Sequence, residues 1–188
     1  PDKDGYVSFG VSSDLTPSAV EVAKIIIAQI NPLMPFTYGD SVIHMSRFDA
    51  VVKVDDPLAE TPDIVPSEKE LYIGKAIAEL IPDGAVLQVG VGAIPNAVLH
   101  SLYDHKHLGI HSEAFTGGMK GLIEAGVVDN SLKQIEPGRS VASLALGTRE
   151  LYDFMDHNPA LLMRDISWVN DPFIIAQNHN MAAINSCL

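Results

Sequence analysis

Cysteine is nearly absent from this chain, since Cys187 is the only one among its 188 residues. One cysteine cannot form an intramolecular disulfide, so the sequence excludes a disulfide-stapled secreted fold and indicates a reducing compartment. Long hydrophobic runs are lacking as well: the longest, around residues 24–28, is far too short to cross a bilayer, and no signal peptide is recognisable. These features predict a soluble cytoplasmic protein with no membrane partner.

Aromatic and basic residues are also scarce. Aromatics make up 6% of a chain that is 47% hydrophobic, a composition more typical of an α/β protein than of an all-β sandwich. With 12 basic against 24 acidic residues the formal net charge is -12, which argues against nucleic acid or an anionic membrane as partner. A phosphate-bearing ligand is still compatible with this charge, because clustered backbone N–H groups can bind an anion inside an acidic protein.

The domain organisation is indicated by the stretch from residue 55 to residue 66, which contains three prolines and several acids without periodicity. Such a composition is typical of an extended linker. Residues 1–62 are therefore predicted to belong to the C-terminal part of a first domain, and residues 67–188 to most of a second. Because the chain begins without methionine and stops within a strand-like run, we expect it to be an internal segment of a longer polypeptide.

Strand-like and helix-like patterns alternate along the chain. In the first part, Thr16 and Pro17 predict the start of a helix whose apolar face continues to Ile30. In the second, Ser67 and Glu70 form a capping-box pattern before a helix whose predicted buried residues are Ile73, Ile77, Leu80 and Ile81. The predicted strands cover residues 6–10, 41–45, 50–54, 85–91, 108–112, 141–146, 161–163 and 181–187. Such alternation implies an α/β fold with a mostly parallel open sheet and helices on both faces.

A glycine turn follows the predicted strand 85–91 in the run Gln88-Val89-Gly90-Val91-Gly92. Glycines let a backbone approach a ligand closely, and N–H groups at the start of the next helix can bind an anion there. A dinucleotide-binding turn or a plain tight turn are the alternatives. The dinucleotide fingerprint requires a third glycine where this chain has Pro95, which disfavours it.

Glu113 follows the next predicted strand and is separated from the glycine turn by one helix. Strands joined by one crossover are usually neighbours, so Glu113 and the turn should share one crevice. A carboxylate beside backbone donors would suit acyl transfer, with a nucleophile next to an oxyanion hole. The alternative is an ordinary solvated loop acid.

Several motifs resemble family I CoA-transferases, in particular the acetyl-CoA hydrolase/transferase group that includes 4-hydroxybutyrate and butyrate CoA-transferases. The resemblance rests on residues 83–95, on His111-Ser112-Glu113 with Gly117-Gly118, and on runs spread along the chain. Those runs are residues 34–41, 124–128, 145–148, 169–172, 176–178 and 184–186. This resemblance implies the CoA-transferase (NagB/RpiA-like) fold.

The resemblance also implies a function and a set of site residues. Glu113 would be the nucleophile and carry CoA as a thioester, with oxyanion donors from the backbone of Val89, Gly90 and Gly92 and from the Gln88 amide. Val91 completes this predicted CoA-binding turn, and Asn185, Ser186 and Leu188 would line the CoA site. For Asn185 and Ser186, capping of the strand end is the alternative. Coenzyme A would be a substrate rather than a permanently bound cofactor, short-chain carboxylates the acceptors, and the assembly a homo-oligomer.

Other candidate residues point to different chemistry. His100, His105, His107 and His111 could suggest a metal site, but their spacing spans a helix end, a loop and a strand and includes no helical pair, so no metal is expected. Cys187 lies in an apolar strand, where a free cysteine is usually part of the core. Arg47 could meet a substrate anion or be a surface residue.

Three functional hypotheses follow from these observations: a CoA-transferase, an acyl-CoA hydrolase on the same fold, and a non-catalytic module such as a sugar-phosphate sensor. The last has no need for Glu113 beside the glycine turn.

Overall fold

The structure is a computed structural model that describes residues 1–186. The strands are β1 Tyr6–Ser8, β2 Ile27–Ile30, β3 Tyr38–Gly39, β4 Val42–His44, β5 Ala50–Lys53, β6 Val86–Val89, β7 Gly109–Ile110, β8 Ala114–Thr116, β9 Ser140–Ala142, β10 Leu144–Leu146, β11 Leu161–Met163 and β12 Met181–Ile184. The helices are α1 Thr16–Val22, α2 Glu68–Ala78, α3 Ala93–His100, α4 Gly117–Glu124, α5 Arg149–Met155, α6 Ile166–Val169 and α7 Pro172–Ile175, and a 3-10 turn spans Met45–Arg47.

Parallel strands form the centre of the fold. Two three-stranded parallel sheets, in the orders β12-β6-β7 and β3-β11-β9, are joined by a parallel bridge between His111 and Val141. The resulting order is β12-β6-β7-β9-β11-β3. A second parallel pair, β8 with β10, continues from β7 and β9. The predicted mostly parallel α/β fold is therefore confirmed.

The central strands are buried on both faces. Val86, Leu87 and Val89 of β6 are at most 1% exposed, as expected for a parallel sheet covered by helices on each side. The main core joins these strands to α3, α4 and α5 through large apolar side chains, among them Leu99, Phe115 and Met119. This packing fixes where each strand ends and hence where the residues that follow it lie.

The long first helix predicted from Thr16 to Ile30 is wrong. Helix α1 ends at Val22, and the same apolar run continues as β2, which pairs in parallel with β5. Three consecutive isoleucines precede and enter this strand, and β-branched side chains favour extended backbone over a helix. Pairing with β5 then supplies backbone hydrogen bonds that the helix would have supplied.

Two smaller predictions for the second part of the chain also need correction. The single strand predicted over residues 141–146 is two strands, β9 and β10, interrupted at Ser143. Leu80, predicted to be buried, is 81% exposed, whereas the small residues Gly74 and Ala78 form the buried face of α2. The capping box is confirmed, because Ser67 N donates to the Glu70 carboxylate at 2.7 Å and Glu70 N donates to Ser67 Oγ.

The predicted linker has no helix or strand between Val54 and Ser67, and most of it is exposed. Two hydrogen bonds hold the linker to α5 and to the residues before it. Tyr152 Oη in α5 donates to the Ala59 carbonyl, and Thr61 N donates to the carbonyl of Gly147, just before α5. Strand β3, from the first predicted domain, pairs with β11 of the second, so the two parts share a sheet. Their assignment to two separate domains stays a prediction. Within residues 1–186, no helix is long and apolar enough to cross a membrane.

Gly74 provides a test of the contact between α2 and α3. A Cβ at this position would lie 2.5 Å from the backbone carbon of Ala97, so Gly74→Ala forces two helices apart. We expect the free energy of unfolding, measured by urea denaturation, to fall by about 1–3 kcal/mol.

Gly121→Ala in α4 is the matched control. Its Cβ would approach only the hydroxyl end of the half-exposed Tyr103 side chain, which can move away. The gain in helix propensity, up to about 1 kcal/mol, should then leave this variant as stable as wild type or more so. Equal stability changes in both variants would contradict the close packing at Gly74.

Candidate active site

The candidate site lies at the carboxyl edge of the central sheet. Strands β6 and β7 pair in parallel with Val86 opposite Gly109 and Leu87 opposite Ile110, so the segments that follow both strands leave the same edge. The predicted adjacency of these two strands is confirmed. In open α/β sheets this edge is where ligands bind.

Ser112 connects the Glu113 segment directly to the glycine turn. Its fully buried hydroxyl donates to the Val89 carbonyl at 3.1 Å and accepts from the Val89 N–H at 3.1 Å. This pair of hydrogen bonds fixes the residue before Glu113 against the end of β6. Glu113 therefore leaves its strand next to the turn.

Glu113 is held at both its backbone and its side chain. Its carbonyl accepts from Ser143 N at 2.9 Å and from Leu144 N at 3.0 Å, where β9 passes into β10. Its Oε2 accepts from Asn170 Nδ2 at 2.9 Å. The side chain is only partly buried, so an oriented carboxylate is accessible to a ligand.

Asn170 was not predicted as a site residue. It lies 57 positions after Glu113, at the C-cap of α6, and no local pattern marks it as functional. In the sequence, the run Val169-Asn170-Asp171-Pro172 is only one of the segments that resemble the CoA-transferases. Contact with the carboxylate identifies it as part of the site.

The donors of the glycine turn differ from those predicted. The Val89 N–H is bonded to Ser112, and the Gly90 N–H donates to the Ile184 carbonyl at 2.8 Å, because β12 runs beside β6. Neither N–H is available for an oxyanion in this arrangement. Among residues 1–186, the N–H groups of Val91 and Gly92 have no protein acceptor, so they are the donors that the turn offers.

Gly92 has a backbone conformation that demands glycine. Its φ of 144° and ψ of 176° lie in a region that residues with a Cβ essentially never occupy. It is the N-cap of α3, and its carbonyl accepts from Asn96 N at 3.1 Å. The N–H groups of Val91 and Gly92 thus lie directly before the N-terminus of α3.

Asn185 and Ser186 lie against the glycine turn, where the end of β12 brings them. Asn185 Nδ2 donates to Gln88 Oε1 at 2.8 Å, and its Oδ1 is 2.6 Å from where a Cβ on Gly90 would be. Ser186 Oγ is 3.3 Å from the corresponding position on Gly92. Since Gln88 accepts through its oxygen, its Nε2 group is left to donate. Of the remaining predictions, Leu188 and Cys187 lie outside the described residues.

Three of the four histidines considered as a metal site, His105, His107 and His111, have separate partners, and His100 is exposed at the end of α3. His105 Nε2 bonds the Ile81 carbonyl at 3.0 Å, and His107 Nδ1 pairs with Asp129 at 2.7 Å. His111 is buried and contacts Val169 and Asn178. Throughout the described part of the chain no three His, Cys, Asp or Glu side chains are grouped to hold a metal ion. Arg47 forms an exposed ion pair with Glu21 at 3.4 Å.

Lys133 is a buried lysine behind the Glu113 segment, and no sequence pattern marks it. Its Nζ donates to the carbonyls of Ile110 at 2.7 Å and Arg139 at 2.6 Å, and its stem packs on Gly109. Burial lowers the pKa of Lys133 to about 7. A neutral amine still has two N–H groups, so it can satisfy both carbonyls.

The lowered pKa makes stability depend on pH. Between about pH 7 and the ordinary lysine pKa of 10.5, the unfolded chain binds a proton at Lys133 that the folded chain does not, so the folded state becomes more stable as pH rises. Relative to Lys133→Met, the free energy of unfolding of the wild type should increase by about 2 kcal/mol from pH 7 to pH 9. Urea denaturation at both pH values measures it, and a constant difference would contradict the buried neutral amine.

Comparison with known proteins links this geometry to a family. The family model described as the acetyl-CoA hydrolase/transferase N-terminal domain matches residues 1–66, and the model described as the C-terminal domain of the same group matches residues 147–188. Both ends of the chain thus match one group of proteins.

Curated relatives cover the whole chain. The 4-hydroxybutyrate coenzyme A transferase of Clostridium kluyveri is 47% identical over 188 residues, which are 100% of this chain and 44% of that protein. The succinyl-CoA:acetate/propanoyl-CoA:succinate CoA transferase of Fasciola hepatica is 46% identical over 189 residues, with 100% of this chain and 40% of that protein covered. The chain therefore spans less than half the length of these relatives.

Solved structures show the same fold. RipA from Yersinia pestis superposes with a TM-score of 0.95 at 42% identity, covering 98% of this chain and 43% of that one. A 4-hydroxybutyrate CoA-transferase from Porphyromonas gingivalis gives a TM-score of 0.95 at 43% identity, covering 100% of this chain and 48% of that one. The arrangement of β6, β7, β9, β11 and β12 is thus one found in CoA-transferases.

Proposed function

Because the chain belongs to the acetyl-CoA hydrolase/transferase family, we propose that it carries the nucleophile of a CoA-transferase, and that this nucleophile is Glu113. The observation that carries the proposal is the position of Glu113: Ser112 ties its segment to Val89 of the glycine turn, while Asn170 orients the partly buried carboxylate. A carboxylate beside backbone donors has the parts that acyl transfer requires.

The first half-reaction forms a thioester on the enzyme. A Glu113 oxygen attacks the thioester carbonyl of an acyl-CoA, the carbon–sulfur bond breaks, and a mixed anhydride and CoA thiolate result. The thiolate then attacks the glutamyl carbonyl of the anhydride and releases the first carboxylate. Glutamyl-CoA thioester remains on the enzyme.

The second half-reaction runs the same steps in reverse. An acceptor carboxylate attacks the glutamyl thioester and gives a new anhydride and CoA thiolate. The thiolate attacks the acyl carbonyl, which releases the new acyl-CoA and regenerates the Glu113 carboxylate. A carboxylate nucleophile suits this cycle because an anhydride can exchange with a thioester in both directions, whereas an ester on serine would be a sink.

Each tetrahedral intermediate places negative charge on an oxygen. The N–H groups of Val91 and Gly92, together with the Gln88 amide, are the donors that we assign to it, in place of Val89 and Gly90, which are bonded within the fold. One such donor is worth roughly 10²–10³ in rate. Asn170 occupies one carboxylate oxygen and so leaves the other for attack.

The substrates are proposed from the relatives. Their names refer to 4-hydroxybutyrate, succinyl-CoA, acetate and butyrate, so we infer a short-chain acyl-CoA as donor and a short-chain carboxylate as acceptor. In our proposal residues 1–62 belong to a first domain and residues 67–188 to most of the second, and the assays use the full-length protein that contains this chain. A cytoplasmic location and a homo-oligomeric assembly stay predictions from the sequence.

Exchange of label tests the activity. Full-length protein is incubated with acetyl-CoA and isotopically labelled acetate, and then with butyrate or 4-hydroxybutyrate. We expect label to enter acetyl-CoA and new acyl-CoA species to form at constant total thioester. Release of free CoA and acid without exchange would instead identify a hydrolase, and no turnover of any acyl-CoA would favour a binding module.

A further inference from the structure

A buried histidine connects to the candidate nucleophile through a loop from the far end of the chain. His111 is 1% exposed, and its Nε2 lies 2.9 Å from the Val169 carbonyl. The next residue is Asn170, whose Nδ2 donates to Glu113 Oε2 at 2.9 Å. Since His111 and Glu113 are only two residues apart, the loop is fastened to the same short segment at two points.

The hydrogen-bonding role of each His111 nitrogen follows from its neighbours. Asn178 is buried, and its Oδ1 accepts from Ile135 N at 3.2 Å, so its Nδ2 is the group that faces His111 Nδ1 at 3.5 Å. His111 Nδ1 is therefore an acceptor, and Nε2 carries the proton that is donated to Val169. Burial lowers the pKa of His111 below its usual value, which agrees with a neutral ring.

The loop that carries Asn170 has little internal structure of its own. Helices α6 and α7 have four residues each, and Asn170 and Asp171 are the only residues between them. Helices of this length are not stable by themselves in water. His111 contacts this segment before and after Asn170, at the Val169 carbonyl at the end of α6 and at Asn178 after α7. It also packs on Trp168, with ring centroids 5.6 Å apart.

We propose that His111 is a positioning residue: by bonding the Val169 carbonyl it holds Asn170 against Glu113 Oε2 and so sets which carboxylate oxygen faces the acyl-CoA. This inference rests on the proposed function. His111 itself does not touch substrate. Its contribution reaches the reaction through Asn170 alone.

Two amide substitutions separate positioning from general packing. In His111→Gln, the side-chain nitrogen reaches as far as the imidazole Nε2 and can still donate to Val169. In His111→Asn, the amide ends near the imidazole Nδ1 and cannot reach that carbonyl. Both replace a neutral buried ring by a neutral amide, so they differ in the hydrogen bond and in one buried methylene, whose effect on stability thermal unfolding measures.

The kinetic comparison uses the full-length protein and acyl exchange. We expect Asn170→Ala and His111→Asn each to lower kcat by about 10- to 100-fold with little change in the KM for acyl-CoA, and His111→Gln to stay within about threefold of wild type. The double variant His111→Asn/Asn170→Ala should be no slower than the slower single variant, because the second change removes nothing that the first had left intact. Thermal unfolding of every variant reports the packing loss separately.

Three results would overturn the inference: multiplied effects of the two substitutions in the double variant, equal rates for the two amide variants, or a change confined to the melting temperature. If His111→Asn fails to fold, His111→Leu takes its place, because leucine fills the buried site without a donor, and the inference then requires the same loss of kcat with no further loss on adding Asn170→Ala. Absence of exchange in the wild type is a different outcome, because it contradicts the CoA-transferase function itself.

Discussion

Replacing Glu113 by glutamine is expected to lower acyl exchange by more than about 10⁴-fold, since an amide oxygen cannot form the anhydride on which each half-reaction depends. The change preserves shape and leaves an acceptor for Asn170 Nδ2, so folding and CoA binding should persist. Steady-state exchange between acetyl-CoA and labelled acetate measures the loss, and mass spectrometry checks that the glutamine has not deamidated.

Glu113→Asp tests the same role of the carboxylate by moving it away from the thioester carbonyl. The shorter side chain withdraws the carboxylate by one methylene while the backbone stays fixed by Ser143 and Leu144, so exchange should fall by about 10²-fold. Glu79→Gln, at the exposed end of α2, is the matched control and should exchange like wild type. Exchange at the wild-type rate in the undeamidated Glu113→Gln protein would show that another group is the nucleophile.

The second large effect is expected at Gly92. Alanine cannot adopt a φ of 144° without strain of roughly 1–3 kcal/mol, so the turn must change its backbone and displace the N–H groups of Val91 and Gly92. Losing their alignment should lower kcat by about 10²-fold or more. Single-turnover kinetics, measured by stopped flow or rapid quench, distinguish a slower chemical step from slower binding of acyl-CoA.

Gly138→Ala is the control for the strain itself. Gly138 also has a positive φ, of 76°, but a Cβ there meets nothing within 4 Å, and the residue lies in an exposed turn. This variant should lose about 1 kcal/mol of stability and keep its exchange rate. If Gly92→Ala is as active as Gly138→Ala, the glycine turn does not supply the oxyanion donors.

The part of the site nearest in sequence could be predicted because several signals agreed there. The buried run of β6, two glycines and a proline at the start of α3 point to the same strand–turn–helix unit, and one crossover is enough to place β7 beside β6. Glu113 then follows from position. No information from distant residues is needed for that step.

Distant partners explain what could not be predicted. The N–H groups of Val89 and Gly90 are bonded to Ser112 and Ile184, and whether a donor is free depends on which strand runs beside it. Asn170, between α6 and α7, contacts Glu113 although 57 positions separate them in the sequence. Hydrogen bonds of this kind leave no periodic trace in a sequence.

The run that was predicted as one long first helix shows a limit of predicting secondary structure from hydrophobic spacing. Apolar residues at helical spacing continued through Ile30, yet β-branched residues and the nearby β5 made the second half of that run a strand. Short apolar runs fit either element, and the choice is made by the partner available in space.

The most direct test of the central proposal is to trap CoA on Glu113. Full-length protein is incubated with acyl-CoA in the absence of acceptor and treated with borohydride, which reduces a glutamyl thioester to an alcohol. Digestion and peptide mapping by mass spectrometry should then find the reduced side chain at Glu113 and at no other carboxylate, and only in protein exposed to acyl-CoA. Modification at a different carboxylate, or none at Glu113 in protein that exchanges acyl groups, would contradict the account.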